Sequence, residues 1–160
     1  MYDAIIAFPK MKVALRTREE RVAEICYLPP SVATQPPGNA LAERAARQLE
    51  AYRGNADTVF DLPLLIEGTA FQRQLWEALC EIPRGKTLTY GELAHRLGVD
   101  ARAIGQACGD NRLPIVIPCH RVVAADGIGG FAHATTGYLL EAKRWLLMHE
   151  CAADAFELTP

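Results

Sequence analysis

Cys119, His120 and Arg121 stand in a row directly after Pro118 and the apolar run 115–117, and here the sequence could do chemistry. The thiolate is the nucleophilic form of cysteine, and a free thiol is only about a few per cent ionised at neutral pH. An imidazole and a guanidinium beside the sulfur could lower its pKa, so Cys119 is expected to be an ionised nucleophile at rest. The run 115–117 reads as a buried strand that Pro118, lacking a backbone donor, brings to its end. Adjacent side chains on an extended strand point to opposite faces. Cys119 and His120 can therefore cooperate only if the backbone leaves strand geometry at Pro118, directly or through a water. A core thiol beside a surface histidine is the competing reading.

The other cysteines, Cys26, Cys80, Cys108 and Cys151, read as small buried hydrophobes in a reducing compartment. Their total with Cys119 is odd, no C-x-x-C occurs, and the spacings match no zinc pattern, so no metal is expected. His95, His133 and His149 read as surface or packing residues, and Trp76 and Trp145 as core.

Two capping boxes precede the reactive segment. Thr69 and Gln72 open a helix running to about residue 82, with Phe71, Leu75, Trp76 and Leu79 inward and Pro83 as its stop. Thr89 and Glu92 open a second, which ends at Gly98, and Asp100 caps a third over 101–109. Two short helices joined by Gly98 and Val99 have the spacing of a helix-turn-helix. The third, ARAIGQACG, is nearly all small residues with one long cation, Arg102, near its start. Small side chains let a helix backbone approach a groove wall, and helix N-termini favour phosphate oxygens. A helix packed tightly inside the protein, with Arg102 in solvent, accounts for the same pattern.

Upstream, residues 2–8, 13–18 and 21–28 read as strands, 29–39 as a proline-rich loop, and 40–52 as a helix capped by Asn39. Leu41, Ala45, Leu49 and Tyr52 share one face of that helix. A boundary falls near Glu67 and Gly68. The 160 residues are 50% hydrophobic and 22% charged with a net charge of -2, which excludes disordered, collagen-like and coiled-coil classes. No apolar run approaches the ~20 residues of a membrane span, and the N-terminus lacks the order of a signal peptide, so a cytoplasmic protein is expected. With no bulk basic field, any DNA contact rests on a local constellation.

FQRQLWEALCEIPRGKTLTYGELA, then IPCHRVV, then KRWLLMHE together resemble the O6-alkylguanine-DNA alkyltransferases, also called methylated-DNA–protein-cysteine methyltransferases, over roughly residues 69–150. The resemblance implies an α/β N-terminal domain over 1–67, a small ribonuclease-H-like sheet plus helix. A mainly α domain with a helix-turn-helix follows over 68–152, then a tail over 153–160. It implies that Cys119 accepts the alkyl group of O6-alkylguanine irreversibly, once per molecule and without a cofactor. His120 takes the thiol proton through a water and Glu150 orients His120. Asn111 holds the turn against the reactive segment, Tyr90 hydrogen-bonds the guanine ring, and Lys143 assists at the oxygen or the thiolate. Arg102 replaces the extruded base, with Ala101, Ala103, Gly105, Gln106 and Arg121 as further DNA contacts in the minor groove.

The implied partner is double-stranded DNA containing alkylated guanine, bound by a monomer with no membrane involved. The pattern departs from the family twice. Arg112 follows Asn111 where Pro is usual, and twelve residues run from Ala132 to Lys143 where the family takes about seven. Thr135, Thr136 or Tyr138 are the candidates there to reach the guanine oxygen. A non-catalytic alkylated-base sensor of the same fold, and a cysteine hydrolase, are the alternatives. The sensor has no use for Cys119 and the hydrolase none for Arg102.

Overall fold

A computed structural model describes residues 1–129 and 137–150. Phe131, His133, Thr135, Thr136, Cys151 and the tail 153–160 lie outside the described residues. The protein is of the small α/β kind, and its chain divides into two compact units, Met1–Ile66 and Glu67–Pro160.

The first unit is an antiparallel meander of β1 (Ala4–Phe8), β2 (Met11–Arg18) and β3 (Arg21–Leu28), in the order β1-β2-β3. Alternation on β1 buries Ala4, Ile6 and Phe8, as a half-buried strand must. On β3 the buried positions change parity, from Val22 to Ile25 and Tyr27. The cause is a register shift: Arg16 faces Glu24 but Thr17 faces Val22, leaving Ala23 as an extra residue. Helix α1 (Ala40–Gly54) packs on the sheet through Ala42, Ala45, Ala46, Leu49 and Tyr52. Asn39 caps it, its side-chain oxygen accepting from the Ala42 N–H at 2.8 Å.

The second unit begins with α2 (Ala70–Cys80), where the Gln72 N–H donates to Thr69 Oγ1 at 3.1 Å and the Thr69 N–H donates to Gln72 Oε1 at 3.0 Å. It buries Leu75, Trp76, Ala78 and Leu79 and stops short of Pro83. The two-residue β4 (Leu88–Thr89) leads into α3 (Tyr90–Leu97), opened by the reciprocal Thr89–Glu92 box and closed by Gly98 at φ 71°. Helix α4 (Ala101–Gly109) follows, with Asp100 accepting from the Ala103 N–H at 2.8 Å. It packs against α3 by burying Ile104, Ala107 and Cys108.

The expected strand over 115–117 does not form. Ile115 sits at φ 73°, and the Ile117 N–H turns back onto the Leu113 carbonyl at 2.9 Å. Pro114 and Pro118 cannot donate to a ladder, and a buried turn hides isoleucines as well as a strand does. A short 3-10 turn, Cys119–Arg121, leads instead into β5 (Val122–Val123), which pairs in parallel with β4. Helix α5 (Tyr138–His149) completes the described chain. No helix among the described residues is long and apolar enough to cross a membrane.

Candidate active site

Asn111 ties the approach to the cysteine from both ends. Its side-chain oxygen accepts from the Leu113 N–H at 2.9 Å, and its amide donates to the Ile117 carbonyl at 2.9 Å. Cys119 then opens the 3-10 turn, its own N–H reaching the Ile117 carbonyl at 2.8 Å. Three residues per turn separate neighbouring side chains by roughly 120° rather than the 180° of a strand. The backbone thus leaves strand geometry at Pro118, as cooperation of Cys119 with His120 requires.

Cys119 is only 5% exposed. Burial pushes the Cys119 thiol above its ordinary value, and the Asn111 hydrogen bond and the Lys143 charge pull it down without prevailing. Desolvating an anion opposes the neighbouring cations here, and the net direction runs against the thiolate expected at rest.

His120 is wholly buried. Its Nε2 lies 3.0 Å from Glu150 Oε2, off the ring's N–H axis, and its Nδ1 has no hydrogen-bond partner among the described residues. Burial holds the imidazole below its ordinary value, with Glu150 opposing and Arg121 and Lys143 assisting. A neutral imidazole with an uncommitted ring nitrogen can accept a proton.

Glu150 caps the C-terminal end of α5 and is buried. Arg121 grips it with two bonds, Nε to Oε1 at 2.9 Å and Nη2 to Oε2 at 3.0 Å, and gives Nη1 to the Ile82 carbonyl at 2.7 Å. This runs against the expectation that Arg121 contacts DNA: its side chain is 14% exposed, and Nε, Nη1 and Nη2 each donate inside the protein. The signal in the sequence was an arginine set between a buried turn and two buried valines, where a guanidinium needs a carboxylate.

Lys143 is no surface residue of its helix. It is fully buried, its Nζ donating to the Val122 carbonyl at 2.8 Å and lying 3.4 Å from the Tyr90 hydroxyl. Burial brings its pKa down to about 8, with the neighbouring Cys119 and Cys108 opposing. Tyr90, first residue of α3, is half-buried and its phenol is pushed up, chiefly by burial. Gly129, at φ 74°, lies so close that a Cβ there would stand 2.9 Å from Tyr90 Cε2. Sequence reasoning missed Gly129, whereas Cys108 is buried, as its reading as a small hydrophobe expects. Cys80, expected to be buried, is exposed.

Helix α4 presents Ala101, Arg102 and Gln106 to solvent, with Ala103 and Gly105 half-buried beside them. Among the described residues, no cluster of three or more His, Cys, Asp or Glu side chains could hold a metal ion.

The family described as 6-O-methylguanine DNA methyltransferase, DNA binding domain, matches residues 70–152. The methylated-DNA–protein-cysteine methyltransferase of Methanosarcina barkeri is 39% identical over 159 residues, 94% of this chain and 97% of that protein. This chain belongs to the 6-O-methylguanine DNA methyltransferase family. The regulatory protein ada of Salmonella typhimurium is 45% identical over 125 residues, but the chain spans 33% of its length. Among solved structures, the Mycobacterium tuberculosis O6-methylguanine methyltransferase superposes with a TM-score of 0.74 at 34% identity, covering 95% of this chain and 94% of that one. M. tuberculosis OGT in complex with DNA gives 0.74 at 35% identity, over 92% and 91%.

Proposed function

We propose that this protein repairs DNA by taking the alkyl group of O6-alkylguanine onto Cys119, irreversibly and once per molecule. The observation that carries the reading is the buried His120–Glu150 pair, 3.0 Å apart, directly after a buried thiol in a chain of this family. The thiol proton passes through a bridging water to His120 Nδ1, and Glu150 stabilises the imidazolium that forms. The sulfur lone pair makes the new bond to the alkyl carbon as the carbon–oxygen bond breaks. That electron pair returns to the guanine, whose ring nitrogen the Tyr90 hydroxyl hydrogen-bonds. Lys143 faces the negative charge gathering on the sulfur. The thioether product has no group that water can readily displace, so the protein is spent and no cofactor takes part.

The same reading assigns α3 and α4 as a helix-turn-helix that docks in the minor groove, where a degenerate code suits scanning without regard to sequence. Arg102 enters the base stack as the damaged nucleotide swings out, because a paired base cannot reach a buried sulfur. Ala101, Ala103, Gly105 and Gln106 let the backbone of α4 come close. The exposure of Arg102 and the smallness of its neighbours support this. The unit Met1–Ile66 is assigned as a ribonuclease-H-like domain, on its three antiparallel strands and covering helix. The protein acts as a single chain in the cytoplasm.

The test is the mass of the intact protein, followed by peptide mapping, after incubation with a duplex containing O6-methylguanine. One added methyl on the peptide that holds Cys119 is expected. Labelling elsewhere, or repeated turnover, refutes the reading.

A further inference from the structure

Three charged groups act on His120, which directly follows Cys119: Arg121 from its own turn, Lys143 from α5 and Glu150 from the cap of α5. From the loop after α2, Arg84 Nη1 reaches the main-chain carbonyl of Glu150 at 3.4 Å, which leaves the Glu150 carboxylate to its other partners. That carboxylate is divided. Oε1 faces Arg121 Nε at 2.9 Å, whereas Oε2 is shared between Arg121 Nη2 at 3.0 Å and His120 Nε2 at 3.0 Å.

Charge counting in this buried cluster is decisive. With a neutral imidazole, Arg121 and Glu150 sum to zero, the cheapest state for groups cut off from water. Protonating His120 would leave two cations around one carboxylate, with the Lys143 ammonium close by. Without the guanidinium, the balance inverts, and a charged imidazole becomes the partner that neutralises Glu150.

We infer that Arg121 is a positioning residue for the proton transfer: its guanidinium holds the Glu150 carboxylate against His120 Nε2 while taking up enough of its charge that the imidazole rests neutral. This deepens the alkyl-transfer reading and rests on it. The anchor of Arg121 on the Ile82 carbonyl, at 2.7 Å, fixes the fork relative to the end of α2, so the carboxylate is clamped rather than merely paired. The direction of the His120 shift, to which the Arg121 charge contributes, agrees.

The experiment measures single-turnover methyl transfer from duplex between pH 5.5 and 8 for wild type, Arg121→Gln and Arg121→Lys, with the His120 ring titrated by NMR. For Arg121→Gln the acid limb is expected to move up by about one pH unit, about tenfold in rate at the acid end. Arg121→Lys retains the charge and should return the limb to near the wild-type position, although it cannot span both oxygens. An equal loss of rate in both variants at every pH, with the limb unmoved, would reduce Arg121 to a structural clamp and overturn the inference. If Arg121→Gln does not fold, the wild-type titration decides: an imidazole already charged at pH 7 overturns it, and a neutral one with an unshifted Arg121→Lys profile supports it. Failure of the wild type to load Cys119 would instead sink the alkyl-transfer reading, and the NMR comparison would still report on Arg121.

Discussion

The ammonium of Lys143 lies 2.8 Å from the carbonyl oxygen of Val122, and both residues are wholly shielded from solvent. The contact fastens the middle of α5 to the strand that leaves the reactive turn, and aims a cation at Tyr90 and the sulfur. Burying that charge costs stability, as its depressed pKa of about 8 reports.

Lys143→Met should separate stability from activity. The folded pKa lies below the ordinary 10.5, so the contribution of this group to stability is full above the unfolded value and is lost as pH falls from there through about 8. Relative to wild type, the variant should therefore gain at pH 7 and give the gain back toward pH 10.5. Denaturant midpoints against pH check this. Methyl transfer at pH 7 should fall about a hundredfold, because a donor aimed at developing charge is gone. The wild-type rate should fall as pH rises above about 8, where the ammonium loses its proton, and the variant should show no such break.

Cys119→Ser should abolish alkyl uptake. Serine replacements at Cys26, Cys80 and Cys108 should each leave one methyl per chain, as intact-mass measurement would show. Uptake by Cys119→Ser would move the acceptor elsewhere.

Arg102→Ala leaves the reactive turn untouched, since Arg102 is exposed on α4. Transfer from duplex should slow about tenfold or more, whereas transfer from the free alkylated base should be unchanged. Equal slowing on both substrates would deny it a role in extrusion.

Asn111→Ala removes two 2.9 Å bonds and leaves the Ile117 carbonyl without its side-chain donor. A loss of about 1–3 kcal/mol in unfolding free energy is expected, with slower transfer as Cys119 loses its register. Asn111→Asp should restore only the Leu113 end of the knot. Chemical denaturation of both variants would measure the difference.

Local patterns read well from the sequence because their partners sit three residues away. Both capping boxes, the Asn39 and Asp100 caps and the left-handed Gly98 stop all lie where their residue types put them. The segment 113–118 misled because leucine, isoleucine and proline serve a buried turn as well as a buried strand, and nothing local betrays the two Asn111 bonds that choose between them. Arg121 reads as outward in the sequence because its partner is 29 residues away in the chain. The ionisation of Cys119 is illegible for a related reason: neighbours in sequence advertise their charge, but the depth of burial that opposes them is a property of the whole fold.

A protein that reacts once has no second chance to choose its substrate. With Cys119 sheltered and burial favouring its thiol form, stray electrophiles and oxidants in the cell meet a poor target. Selectivity then resides in the resting state itself, and general alkylating reagents such as iodoacetamide should titrate Cys80 well before they touch the acceptor.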